Sequence, residues 1–253
     1  MWNLYDELIA AVPEDSTITE CVAGIHWFAA RSAGMGMALN PHFSAPTVAG
    51  AGSIAGRKTR EVAEWVKSWD FNRAAIGLAA INSALNGRSA AERNCGAALD
   101  AHGAEDSFEY WLEEMRGKKV GVIGHFRKLE RVAAVAELTI LERRPEKGDL
   151  PDPACEYVLP SQDFVFITGS ALINKTLPRL LELSRNARVA LIGPSTPLHP
   201  LLLKHGIEML GGLTIDEPEL PWRVVQEGGH HEILSMPGLQ MVKVLARSAA
   251  SVR

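Results

Sequence analysis

The chain has 253 residues, 47% of them hydrophobic and 22% charged, with a formal charge of −4. That length suits one large domain or two modest ones, and the composition is that of a globular chain rather than a disordered one. The acidic balance and scattered lysines and arginines argue against nucleic acid as a partner, because a phosphate-binding face needs clustered cations.

Leu4, Leu8, Ile9 and Val12 recur at helical spacing, so a short amphipathic helix is expected to stop near Pro13. Asp6 and Glu7 within it stand where a secretion signal would carry basic residues. No later stretch approaches the roughly 20 apolar residues that span a bilayer, so a cytoplasmic protein without a membrane partner is expected. From 17 to 30 the period changes to two. Cys21, Ala23, Ile25, Trp27 and Ala29 fall on one face, with Glu20, Gly24 and His26 on the other. Arg31 to Gly34 then reads as a turn into a second strand over 35–39, which makes a hairpin.

Residues 40–56 are rich in Pro, Gly, Ser and Ala and read as a long loop, of the kind that is functional or mobile. Two helices follow. In 59–68, Val62, Trp65, Val66 and Trp69 make one apolar stripe. The second, 71–85 with Asp70 as N-cap, is small and apolar nearly all round, so it should be buried on several sides. Asn82 shares a face with Leu78, Ala79 and Leu85 and reads as a buried polar group needing partners. Residues 87–103 read as a connector with a helical turn at 97–101. Residues 1–103 are thus an α+β unit, a small antiparallel sheet followed by helices.

From 104 to 253 helices and strands alternate. A helix over 105–115 precedes a strand at 119–123; further strands are expected at 136–141, 163–167, 188–192, 207–215 and 241–245. Near-continuous apolar runs of this length indicate an α/β, Rossmann-like domain with a mostly parallel sheet covered on both faces. Ligands of such sheets bind beyond the carboxyl ends of the strands, near the point where strand order reverses. Here those ends are Gly124, His125 and Phe126; Glu142, Arg143 and Arg144; Thr168, Gly169 and Ser170, with Asn174 soon after; and Gly193, Pro194, Ser195 and Thr196. Thr176 is placed to cap a helix running to Arg185, and Ser195 or Thr196 to cap another whose start Pro200 could delay to His199. Such helix starts would favour a ligand carboxylate or phosphate.

His125 can be a metal ligand, a general acid/base or a hydrogen-bonding loop residue, and Glu142 either a catalytic carboxylate or an ion-paired strand end. Arg143 or Arg144 could clamp an anion. The segment from Gly121 to Phe126 is not the G-x-G-x-x-G of dinucleotide sites, so NAD is not expected, whereas an adenosine-like or other polar ligand is compatible. Gly228, Gly229, His230, His231 and Glu232 read as an exposed loop, since adjacent side chains diverge. His205 before Gly206 suits a helix C-terminus. Cys21, Cys95 and Cys155, odd in number and far apart, fit neither a disulfide framework nor a cysteine zinc site.

Gly124-His125-Phe126, Leu141-Glu142-Arg143-Arg144-Pro145, Gly148-Asp149-Leu150-Pro151, Thr168-Gly169-Ser170, Asn174-Lys175-Thr176-Leu177 and Gly193-Pro194-Ser195-Thr196 resemble, in order, a prokaryotic family of unknown function titled putative heavy-metal chelation. The hairpin and Gly77 to Asn82 are similar to the domain that usually precedes it. The resemblance implies an enolase-amino-terminal-like domain on a Rossmann-like one, a site in the cleft between them, and a role in metal chelation or anaerobic cofactor metabolism. It gives Asn82 a task, reaching from the first domain toward the strand-end loops, so that its truncation should disturb ligand binding more than stability. The candidate set is therefore His125 and Glu142 for chemistry. Asn82, Gly124, Phe126, Thr168, Gly169, Ser170, Asn174, Gly193, Pro194, Ser195 and Thr196 are the candidates for ligand contact. Metal ligands stay unassigned, although a divalent metal is compatible with the resemblance. Two readings remain open: a protein that binds a metal or metal chelate, and an enzyme acting by acid/base chemistry on a small anionic or nucleoside-like metabolite. A homodimer is the default assembly.

Overall fold

The computed structural model describes residues 2–42, 47–96, 99–100 and 107–246. Helix α1 (Asn3–Ala10) buries Leu4, Tyr5, Leu8 and Ile9 as their spacing requires. The period-two stretch, however, is two strands. β1 (Glu20–Ala23) and β2 (Trp27–Arg31) pair antiparallel, and β3 (Met35–Leu39) pairs with β2, so a three-stranded meander replaces the expected hairpin. Gly24 makes the extra turn: a Cβ there would lie 2.7 Å from the carbonyl oxygens of both Trp27 and Val225. Only glycine lets the chain double back so closely. The turn also resets which residues share a face. Cys21 packs toward the helical core, Trp27 and Ala29 pack with Met35 and Met37 in a separate cluster, and Ile25 is 64% exposed.

α2 (Thr59–Ala63) tightens into a 3-10 turn (Glu64–Lys67), and α3 (Phe71–Leu85) starts at Asp70, whose Oδ1 accepts from the N–H groups of Asn72 and Arg73. Its alanines and Gly77 allow neighbours to touch the helix backbone, and every residue from Ala74 to Leu85 is buried. The expected connector instead begins with α4 (Arg88–Cys95) and includes β4 (Leu99–Asp100), which joins the larger sheet. Of the helical turn expected there, 97, 98 and 101 lie outside the described residues. So do 105 and 106 of the helix expected at 105–115. The rest of that segment is a 3-10 turn (Glu109–Trp111) followed by further turns, wound so that Phe108, Trp111 and Met115 all enter one apolar cluster on the sheet.

The larger sheet comprises β4, β5 (Lys119–Ile123), β6 (Glu137–Glu142), β7 (Leu150–Pro151), β8 (Phe164–Thr168), β9 (Arg188–Ile192), β10 (Met209–Ile215) and β11 (Leu239–Leu245) in the order β4-β11-β10-β9-β8-β5-β6-β7. It is parallel from β10 through β7, while β11 and β4 are antiparallel additions at one edge. The chain runs outward from β5 to β7 and then returns to β8 on the other side of β5. Strand order thus reverses between β5 and β8. Phe164 and Phe166 face one cluster and Val165 and Ile167 the other, as two covered faces require. The second of these clusters continues without a break into α1 and α3, and Tyr5 donates a hydrogen bond to Leu172 O at 3.2 Å, so the two halves share one core. Among the described residues no helix is long and apolar enough to cross a membrane.

The helices expected after β8 and β9 start differently from their sequence signals. α5 (Leu177–Leu183) follows Thr176, but the Thr176 hydroxyl donates to Asn174 Oδ1 at 2.6 Å instead of capping. After β9 comes a 3-10 helix (Pro200–His205) capped by His199, whose Nδ1 accepts from Leu201 N at 3.3 Å. Pro200 has delayed the start, and neither Ser195 nor Thr196 caps. Burial, and secondarily Lys204, lowers the His199 pKa from its ordinary 6.5. Below about pH 6.5 the unfolded chain then binds a proton that the folded chain refuses. Stability should fall as pH drops from 6.5 toward the folded-state pKa and level off beneath it. His199→Asn, which keeps a capping acceptor without the titration, should flatten that limb in urea unfolding measured across pH; an unchanged limb would assign it to other groups.

Candidate functional site

The ends of four adjacent parallel strands build the site. Gly124 after β5 and Gly193 after β9 have φ of 101° and 106°, a left-handed conformation that turns the chain sharply at the sheet edge. A Cβ at Gly124 would lie 3.1 Å from Thr168 Cβ, so the β5 and β8 endings touch at the reversal point. Two adjoining cavities open there. Lobe one, about 580 Å³, is lined by Gly124, Glu142, Thr168, Ser170 and Asn174 from the strand ends and by His26, Asn40 and His42 from the first half. Lobe two, about 530 Å³, is lined by His125, Phe126, Thr168, Gly193, Pro194 and Ser195 with Trp27. Thr168, Leu39 and His230 line both and form the waist.

Three expected contact residues line neither lobe. Asn82 is wholly buried; its Nδ2 donates to Met37 O at 2.8 Å and Ser195 O at 3.1 Å. Gly169 is pressed against Thr196, where a Cβ would meet Thr196 N and Oγ1 at 2.7 Å, and Thr196 is itself fully buried. These residues fasten the loops whose neighbours line the cleft. The Ser195 hydroxyl accepts from Leu39 N at 2.9 Å, and Asn86 bonds both Thr196 O and Leu198 N.

Glu142 is held by its own chain: its Oε2 accepts from the N–H groups of Arg143 and Arg144. The two arginine side chains turn elsewhere, Arg143 Nε to Asp152 Oδ2 at 2.9 Å and Arg144 Nη2 to His42 O at 3.1 Å. His125 Nδ1 lies 3.4 Å from Asp149 Oδ2; the Asp149 side chain is 4% exposed and that of His125 43%. The carboxylate is held in place by Glu146 N, which donates to Asp149 Oδ2 at 3.0 Å, and it faces one nitrogen of the half-exposed imidazole.

Sequence reasoning missed Asp149 as a partner and the histidines of the first lobe. His26 stacks on His230 with ring centroids 4.3 Å apart and planes at 26°, and His42 stands edge-on to His26 at 6.0 Å. Burial, then Arg144, then His26 lower the His42 pKa. His230 is no exposed loop residue: Trp27 Nε1 donates to its carbonyl at 3.1 Å, and it stands half-buried at the waist. The neighbouring Gly229 is closely packed, since a Cβ there would lie 2.2 Å from Val224 Cγ1.

This donor set does not fit a direct metal centre. Stacked imidazoles direct their lone pairs in nearly parallel planes, and among the described residues no three His, Cys, Asp or Glu side chains converge to hold an ion. Burial pushes the thiols of Cys21, Cys95 and Cys155 up to about 11, so they are not thiolates at neutral pH.

Two family models match the chain, both described as "Putative heavy-metal chelation": DUF364 over residues 106–243 and DUF4213 over residues 5–85. A crystal structure of a DUF364 protein of unknown function from Desulfitobacterium hafniense superposes with a TM-score of 0.90 at 40% identity, covering 97% of this chain and 99% of that one. A second DUF364 structure, from Pyrococcus horikoshii, has a TM-score of 0.77 at 18% identity, covering 96% and 98%, and shows the fold alone. An uncharacterized protein of Methanocaldococcus jannaschii is 30% identical over 156 residues, which are 58% of this chain and 56% of that protein's length.

Proposed function

Because the chain belongs to the DUF364 family, titled putative heavy-metal chelation, we propose that it binds a small organic molecule in the two-lobed cleft and meets metal through that molecule. The ligand is a chelator, a metal chelate or a precursor of one, as cofactor metabolism would supply. The observation that carries this reading is the contrast between the site and its donors. Two cavities meet at the reversal point of the sheet, where open α/β folds bind ligands. The carboxylates around them are engaged by arginines or backbone N–H groups, and the imidazoles stack rather than converge. Calorimetric titration of metal-free protein with Zn²⁺, Ni²⁺ and Co²⁺ should therefore show no saturable one-to-one binding at micromolar concentration. Stoichiometric binding that His42→Ala removes would overturn the reading.

The His125–Asp149 pair favours a second reading, an enzyme that performs acid/base chemistry on a small anionic or nucleoside-like metabolite in lobe two. Asp149 would then be a positioning residue holding the His125 proton on Nδ1. Long-range ¹H–¹⁵N spectra at alkaline pH should show the Nδ1–H tautomer, lost in Asp149→Asn. An Nε2–H tautomer in the wild type would remove His125 as a base facing the cleft.

A further inference from the structure

The two lobes differ in charge in a way that the sheet does not require. In lobe one the lining arginines Arg143, Arg144 and Arg179 are balanced by the lining acids Glu142, Asp152 and Glu156. Two pairs are in direct contact, Arg143 Nε with Asp152 Oδ2 at 2.9 Å and Arg179 Nη2 with Glu156 Oε2 at 2.6 Å. Lobe two is lined by Arg127, Lys128 and Lys243 together with His125 and His230, and among the described residues no aspartate or glutamate lines it. Arg127 and Lys128 carry no side-chain hydrogen bond or ion pair in the described structure. Lys243 is already engaged: its side chain is 3% exposed, lies 3.8 Å from Asp100 Oδ2 and faces the Tyr110 ring.

Facing these cations is an apolar wall. Phe126 meets Phe108 edge-on with centroids 5.7 Å apart, and Trp27, Leu234 and Met241 continue the surface. The positive charge of Arg127 and Lys128 at the mouth of a partly enclosed cleft raises the local concentration of anions, and aromatic walls favour flat apolar groups.

We infer that lobe two takes an anion carried on a flat, ring-bearing apolar body, such as an aryl carboxylate, sulfonate or phosphate ester. The charged group lies toward Arg127 and Lys128, and the ring lies on Phe126. This inference rests on the reading of the cleft as a ligand site and adds the class of ligand and its orientation. The polar end of a longer ligand would pass the waist at Thr168 and His230 into the charge-balanced lobe.

Two dyes of similar shape test it on the full chain: the anionic 1-anilinonaphthalene-8-sulfonate and the uncharged N-phenyl-1-naphthylamine, followed by fluorescence at low and high salt. The anionic dye should bind at one site at least about tenfold more tightly than the neutral one, equivalent to about 1.4 kcal/mol. That preference should shrink with salt and vanish in Arg127→Gln/Lys128→Gln, with neutral-dye binding unchanged. Phe126→Ala should weaken both dyes. Equal affinities for the two dyes, or a preference that survives the double substitution, would overturn the anion assignment and leave the cleft reading standing. Failure of both dyes to bind, or binding indifferent to Phe126→Ala, would sink the cleft reading and this inference with it.

Discussion

Gly36→Ala should lower stability by about 3 kcal/mol or more, the upper range for overpacking a core. A Cβ at this position in β3 would lie 2.0 Å from Ser83 N, 2.3 Å from Ala79 O and 2.5 Å from Asn82 C. All three are backbone atoms of α3, a helix buried along most of its length, so no side chain can rotate away. The only relief is to lift β3 off α3. That movement would carry Leu39 with it and strain the bond from Leu39 N to Ser195 Oγ, which ties the small sheet to the cleft. For a chain of this size the melting temperature should drop by about 6–12 °C. Gly87→Ala is the control, since nothing lies within 4 Å of its added carbon, and it should change stability by less than about 0.5 kcal/mol. Equal melting temperatures for the two variants would show that β3 does not rest on the α3 backbone.

Asn86→Ala should cost about 2–6 kcal/mol and loosen the turn after β9. Asn86 is 3% exposed; its Oδ1 accepts from Leu198 N at 2.8 Å, and its Nδ2 donates to Thr196 O at 2.9 Å. Truncation leaves a buried donor and a buried acceptor without partners, each worth about 1–3 kcal/mol. The affected turn contains Gly193, Pro194 and Ser195, which line lobe two, so ligand affinity should fall together with stability. Urea unfolding reads the first effect, and faster amide exchange at Leu198 reads the second. Unaltered exchange there would mean that the turn holds its shape without Asn86. Asn82→Ala removes the donor to Met37 O and Ser195 O, and it should act on stability in the same way. An effect on ligand binding larger than that on stability, the expectation from the resemblance, would require exposure to the cleft that the side chain lacks.

Much of the fold was legible because its signals are local. The run Arg188–Ile192 is a strand from end to end, since a parallel strand covered on both faces needs an unbroken apolar segment. Asp70 announced α3 because an N-cap acts within three residues of itself. What depends on distant contacts was not legible. The alternation from 17 to 30 continues across the turn at Gly24, and only the approach of the Val225 carbonyl shows why a glycine stands there. Ser195 looked like a helix cap, but its hydroxyl is engaged by Leu39 from the other half of the chain. His26, His42 and His230 belong to three separate segments, and nothing in any one of them specifies the stack. The strand-end residues themselves were readable, because parallel topology carries them to one edge. Their division between two lobes was not, because Leu39, Thr168 and His230 make it.

Filling the waist of the cleft shows whether a small molecule binds there. Thermal-shift screening of anionic and neutral small metabolites should be run in parallel on the wild type and on His230→Trp, whose indole would occupy the junction of the lobes. Compounds that raise the melting temperature of the wild type are expected to lose that effect in the variant. A screen in which every stabilising compound acts equally on both proteins, or in which none stabilises either, would mean that the cleft is not where small molecules bind.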